Sequence, residues 1–143
     1  MLVTFCGHKD VFYKEQVNEK LAAVVAALIE EGATEFYLGG YGDFDYMAAK
    51  IVRELKKDRP DIQSTLVIPY MDRDYNKELY DGSIYPPLEN TPLRFAISKR
   101  NEWMVDQADV VVAYITHDWG GASKTLEYAQ RKKKRIILIT TEK

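Results

Sequence analysis

Residues 108–129 read ADVVVAYITHDWGGASKTLEYA, and this stretch decides the fold. The run at 108–114, apolar but for Asp109, predicts a strand buried on both faces, as in a parallel sheet. A polar loop follows, then Gly120 and Gly121, then a helical pattern over 123–133. A glycine turn that opens a helix after a parallel strand is suited to an anion. The first helical amides have no internal partner, and the positive end of the helix dipole faces the same way. Ala122, Ser123 and Thr125 add amides and hydroxyls at that turn. Arg100, in the helix before the strand, and Glu127, in the helix after it, bring a guanidinium and a carboxylate to the same region.

Outward from this stretch, the chain alternates strand and helix. Strands are expected at 2–6, 35–38, 65–68, 109–114 and 135–140. Helices are expected at 15–31, 44–57, 93–107 and 123–133, the first read from Val17, Leu21, Val24, Val25, Leu28 and Ile29 at helical spacing and stopped by Gly32. Residues 70–92 read as a long loop with a short helical piece at 75–80, either a surface excursion or a lid and partner surface. Five strands alternating with four helices predict an α/β Rossmann-like three-layer sandwich. Its five-stranded parallel sheet takes the order 3-2-1-4-5, in one domain over 1–143. Ligands of such sheets bind at the carboxyl ends of the strands beside the reversal of order. Three motifs fall there: Gly7 and His8 after the first strand, residues 39–45 after the second, and residues 119–125 after the fourth.

Composition narrows the function classes. The net charge of −2 makes nucleic acid an unexpected partner, since nucleic-acid binders usually carry a basic excess. The basic run at 131–135 reads as a solvated helix end. No apolar run reaches membrane-spanning length, no signal-peptide pattern opens the chain, and the single cysteine fits a reducing compartment. The expected location is cytoplasmic. Cys6 reads as a small core residue. Two isolated histidines do not make a zinc site, so no metal and no cofactor are expected. Asp72, Arg73 and Asp74 read as a solvated loop.

Several residues admit two roles. Gly39 and Gly40 are either a turn or a backbone floor under a ligand. They do not form the dinucleotide fingerprint, because the spacing is wrong and they follow the second strand. Asp43 and Asp45 either hold ribose hydroxyls or solvate a helix start. His8 either bonds a neighbouring loop or touches the ligand. Arg100 is either an ion-pair partner or a phosphate clamp. Tyr41 and Trp119 are candidates to stack on a base.

The motifs FCGHK (5–9), GGYGDFDYMAA (39–49), RNEWMVDQAD (100–109) and GGASKTLEYA (120–129) occur in an order and spacing that resemble the SLOG superfamily. These are the Rossmann-like domains related to Lonely Guy proteins, and the chain looks most like the small bacterial and phage proteins of the DUF1273 (YpsA-like) group. The likeness to Lonely Guy phosphoribohydrolases is more distant. Arg100, Asn101, Met104, Ala108 and Asp109 fit that family's first motif, and Gly120 and Gly121 its paired glycines. Glu127 holds the offset of its catalytic glutamate. Trp119 replaces a proline, Ser123 a glycine, and the threonine comes one place late at Thr125.

The resemblance implies binding of a nucleotide or nucleotide-derived ligand, as a sensor or regulator. Its phosphate would lie on Gly120 and Gly121, with Asn101 and Arg100 beside it. It also implies two alternatives. One is a nucleoside 5′-monophosphate N-glycosidase using Arg100 and Glu127; the other is a regulator acting on a protein partner through residues 70–92. A homodimer through helices flanking the site is the assembly implied. The altered glycine motif favours binding over turnover.

Overall fold

The computed structural model describes residues 1–70 and 74–141. Among them, six strands form one parallel sheet in the order β4-β3-β2-β1-β5-β6. The elements run β1 (Leu2–Gly7), α1 (Lys14–Glu30), β2 (Glu35–Leu38), α2 (Asp43–Lys56), β3 (Gln63–Val67), β4 (Gly82–Ile84), a 3-10 turn (Leu93–Phe95), α3 (Ala96–Gln107), β5 (Val110–Tyr114), α4 (Gly121–Arg131) and β6 (Arg135–Leu138). With β4 set aside, the order is the expected 3-2-1-4-5, and the reversal lies at β1, between β2 and β5.

The alternation of side chains along each strand separates two apolar layers. Val3 and Phe5 of β1, with Val110, Val112 and Tyr114 of β5, face α1 and α2, where Val17, Leu21, Phe44, Ala48 and Val52 complete the larger core. Cys6, Val111 and Ala113 face the other way and pack with Val105 and Ala129 of α3 and α4. Burying a side chain such as Phe36 or Phe44, each fully covered, contributes roughly 1.5–3 kcal/mol. Cys6 is a core residue, as expected, and burial pushes its thiol up to about 12.

The sixth strand corrects the reading of 70–92 as a loop. Gly82, Ser83 and Ile84 pair with Thr65, Leu66 and Val67. Asp81 anchors them: its Oδ2 accepts the Ser64 N–H at 2.8 Å, and its Oδ1 meets Arg53 at 3.0 Å and Lys56 at 2.8 Å. Three residues opened by glycine carry no apolar pattern, so periodicity misses them. The expected helix at 75–80 is a turn in which Leu79 and Tyr80 donate to the Asn76 carbonyl. Tyr80 is buried. The helix expected from residue 93 is a 3-10 turn followed by α3, and the last helix starts two residues early, at Gly121. Of Asp72, Arg73 and Asp74, the first two lie outside the described residues. No helix among the described residues is long and apolar enough to cross a membrane.

Candidate functional site

A cleft of about 1150 Å³ runs along the carboxyl ends of β3, β2, β1 and β5, slightly above the range of roughly 300–1,000 Å³ common for ligand pockets. It brings together Gly7, His8, Gly39, Gly40, Asp45, Arg100, Asn101, Trp119, Gly120, Gly121, Ala122 and Thr125. Asp43, Ser123 and Glu127 are not in its lining.

The β5 side holds the glycine turn, or nook, that opens α4. Gly120 adopts φ +94°, a conformation that favours glycine, and a Cβ placed on Gly121 meets nothing within 4 Å. The first helical bond of α4 is donated by Lys124 to the Gly120 carbonyl at 3.2 Å, and no side chain caps the helix. The amides of Gly121, Ala122 and Ser123 therefore precede the helical ladder. Thr125 turns its hydroxyl back onto the Gly121 carbonyl at 2.9 Å. Ser123 is buried, and its Oγ donates to the His117 carbonyl at 2.5 Å. This hydroxyl ties the loop to α4 and lies outside the cleft lining.

The β2 side holds a buried guanidinium beside a half-buried carboxylate. Arg100 is 4% exposed. Its Nη1 donates to the carbonyls of Gly39 (3.0 Å) and Val67 (2.7 Å), and its Nε to Asn101 Oδ1 (2.9 Å). Burial lowers its pKa, opposed by the charges of Asp45 and Tyr70. Asp45 Oδ2 accepts the Tyr41 N–H at 3.4 Å, while Oδ1 is shut off from solvent with no hydrogen-bond partner among the described residues. Burial pushes Asp45 up to about 6; the Tyr41 N–H, the Arg100 charge and the Gly40 N–H pull the other way. Tyr80 lies behind this pair, its hydroxyl pushed up to about 12 by burial and then by the Asp45 charge. Sequence reading missed Tyr80 because it sits in the segment taken as a loop.

Asp43 lies outside the cleft lining, and no side chain caps the start of α2. Asp43 opens α2, and its Oδ2 accepts the Val11 N–H at 3.1 Å and faces Lys14 at 3.5 Å. These contacts tie α2 to the loop after β1 and to the start of α1. The Val11 bond is the largest influence holding its carboxylate below the ordinary range.

Gly7 lines the cleft, but its lack of a side chain serves packing: a Cβ there would lie 2.3 Å from the Phe44 ring. His8 bonds the neighbouring loop, its Nε2 accepting the Thr116 N–H at 2.9 Å. Burial, and then the neighbouring His117, lower its pKa. His117 stacks on it at 3.6 Å and Trp119 stacks on His117 at 3.7 Å. His117 lines the cleft beside Gly120; its only sequence signal is that it stands three residues before that glycine. Phe12, Tyr41 and Trp119, each about two thirds exposed, form an aromatic rim.

Glu127 is exposed on α4. It stands two residues beyond Thr125, about 200° further round the helix, so it turns away while Thr125 faces in. The expected pairing of Arg100 with Glu127 is therefore not formed at the cleft. The carboxylate beside Arg100 is Asp45. Among the described residues no group of three or more His, Cys, Asp or Glu side chains is placed to hold a metal ion.

No family model matches the chain. It is 27% identical over 151 residues to a UPF0398 protein of Halalkalibacterium halodurans, covering 94% of this chain and 78% of that one. It is 28% identical over 141 residues to an uncharacterised SPbeta prophage-derived protein of Bacillus subtilis, covering 81% of each. Among solved structures, TM1055 superposes with a TM-score of 0.66 at 16% identity, over 94% of this chain and 71% of that one. DNA processing protein A of Helicobacter pylori, described for its single-stranded DNA binding mode, superposes at 0.71 and 17% identity, over 99% of this chain and 66% of that one. The same protein of Streptococcus pneumoniae gives 0.71 at 21%, and this chain spans half its length. The sequence likeness is to UPF0398 (DUF1273/YpsA-like) proteins, and the solved structures are alike in a Rossmann-like fold. At these identities the structural neighbours share the fold.

Proposed function

We propose that the cleft binds a nucleotide or nucleotide-derived anion and that the protein acts as a binding module, in the manner of a sensor or regulator. The observation that carries this reading is the open start of α4. Gly120 and Gly121 leave the first amides of α4 uncapped beside a cleft whose far side holds Asp45 and Arg100. Anion contacts at a helix start are worth roughly 0.3–2 kcal/mol each, enough for a phosphate to add measurably to affinity. Asp45, once ionised, offers carboxylate oxygens to a sugar hydroxyl from the opposite wall.

The phosphoribohydrolase alternative gains less support, because Glu127 points away from the cleft. The partner-surface alternative also gains less, because β4, Tyr80 and Leu88 build residues 74–92 into the fold. Single-stranded DNA has the aromatic rim in its favour and the net charge of −2 against it.

Calorimetric titration with nucleosides and their 5′-phosphates tests the reading. The phosphate should strengthen binding about tenfold or more. Gly121→Ala, whose added Cβ meets nothing within 4 Å in the free protein, should reduce that gain without lowering the Tm. Equal affinity for nucleoside and nucleotide would overturn it. Tight, salt-dependent binding of oligothymidylate in the same titration would favour DNA instead.

A further inference from the structure

Three aromatic side chains near the nook form a column that the phosphate and hydroxyl contacts leave unused. His8 and His117 are stacked with ring centroids 3.6 Å apart at 16°, and His117 and Trp119 are 3.7 Å apart at 18°. The base of the column is fixed. His8 is buried, accepts the Thr116 N–H through Nε2, and rests edge-on against Tyr114 at 6.2 Å. The middle is fixed as well, because the His117 carbonyl receives the Ser123 hydroxyl of α4. The top is open. Trp119 is 69% exposed and lines the cleft.

One face of the Trp119 indole is covered by His117. The other face has no ring against it among the described residues. A tryptophan this exposed contributes little to the apolar core, yet its plane is set by two rings beneath it. Centroid spacings of 3.6 and 3.7 Å at small tilts put successive rings in face-to-face contact, the arrangement by which flat aromatic rings stack on protein side chains. Gly120 follows Trp119 directly, so a ring placed on the indole lies next to the nook that would take a phosphate.

We infer that a flat heteroaromatic ring of the ligand, of the nucleobase class, takes the next place in this column on the outer face of Trp119. His117 is a positioning residue: it holds the indole plane and does not touch the ligand. The inference deepens the nucleotide reading and rests on it for the identity of the ligand, but the column and the nook can be tested apart.

The chain has two tryptophans. Trp103 stacks on Tyr37 at 5.7 Å, outside the cleft lining. Trp103→Phe therefore leaves Trp119 as the only indole reporter. In that background, adenosine, guanosine, cytidine, uridine and their 5′-monophosphates should quench Trp119 emission to saturation. Ribose 5-phosphate, followed by calorimetry, should bind without quenching.

Trp119→Ala should weaken the 5′-monophosphates by about 5- to 150-fold, the range for loss of a base–aromatic stack. It should leave ribose 5-phosphate within about twofold by the same reasoning. His117→Ala should weaken quenching, and His117→Phe should restore it, because the middle of the column needs a ring and not a proton. If ribose 5-phosphate binds while no nucleoside or nucleotide perturbs Trp119, the column is overturned and the phosphate reading stands. If nucleosides quench Trp119 and neither ribose 5-phosphate nor the 5′-phosphate adds affinity, the column stands and the phosphate reading falls. Absence of binding by every probe removes both.

Discussion

Asp45 and Arg100 face one another over Gly39, where the backbone carries no side chain to separate them. A Cβ on Gly39 would stand 3.1 Å from Asp45 Oδ2 and 3.3 Å from Arg100 Cζ and Nη2. This carboxylate and guanidinium come from α2 and α3, 55 positions apart in sequence. They meet because α3 crosses back to the sheet beside β1, and because Arg100 hangs on the last carbonyls of β2 and β3. The arrangement gives the cleft a charged floor whose parts can be tested one at a time.

Asp45→Asn tests the cost of that floor. Burial raises Asp45 from 3.8 to about 6, so between these values the folded protein binds more protons than the unfolded chain. Stability then falls as pH rises from about 4 to 6, and the penalty is fully present above that window. The upper bound is on the order of 3 kcal/mol. Asp45→Asn should be more stable than the parent in urea at pH 8, and the difference should shrink towards zero near pH 4. An equal gap at both pH values would mean that burial of the charge is not the cause.

Arg100→Ala should destabilise the protein by about 2–4 kcal/mol. It leaves the Gly39 and Val67 carbonyls and the Asp45 carboxylate without their cationic neighbour. Arg100→Lys should recover only part of this, since an ammonium lacks the planar fork that spans these carbonyls and Asn101. Chemical denaturation gives the answer. Loss of nucleotide binding with stability unchanged would leave Arg100 with the phosphate-clamp role alone, one of the two that the sequence admits.

Much of this was legible in the chain. Apolar residues marked β1, β2 and β5 nearly to the residue, because the central strands of a parallel sheet are covered on both faces and built mainly from such side chains. The alternation of strands and helices fixed the reversal point and hence the cleft. β3 was read late because Gln63 and Ser64 are polar, and β4 was invisible because its three residues are held by the Asp81 network, a contact that no local pattern reports. The same limit governs the site. Glycines at strand ends can be placed by topology. Which way Asp43, Asp45, Ser123 and Glu127 point depends on helix phase, and a shift of two residues in the start of α4 or one in α2 moves a side chain to another face.

Two glycines separate packing from binding. Gly7→Ala forces a Cβ to 2.3 Å from the buried Phe44 ring and should cost about 1–3 kcal/mol or more. Gly121→Ala has open space on every side and should change stability by no more than about 0.5 kcal/mol, while its methyl group intrudes on the nook. Thermal unfolding of the pair, read beside a nucleotide titration, checks both. Similar Tm losses in the two variants would show that the turn at Gly121 is packed in solution.

Glu127→Gln addresses catalysis directly. A positioned carboxylate that takes part in proton transfer contributes roughly 10²- to 10⁴-fold in rate, so a true catalytic Glu127 would show a loss of that size. The side chain is exposed and lies outside the cleft lining. The substitution should therefore leave nucleotide affinity, the Tm and any release of free base from nucleoside 5′-monophosphates unchanged. Asp45→Asn should alter nucleotide affinity above pH 6, where the carboxylate is ionised. Base release that disappears in Glu127→Gln and persists in Asp45→Asn would reverse this assignment. It would require α4 to rotate by about half a turn in the liganded protein to bring Glu127 to the position that Thr125 holds here.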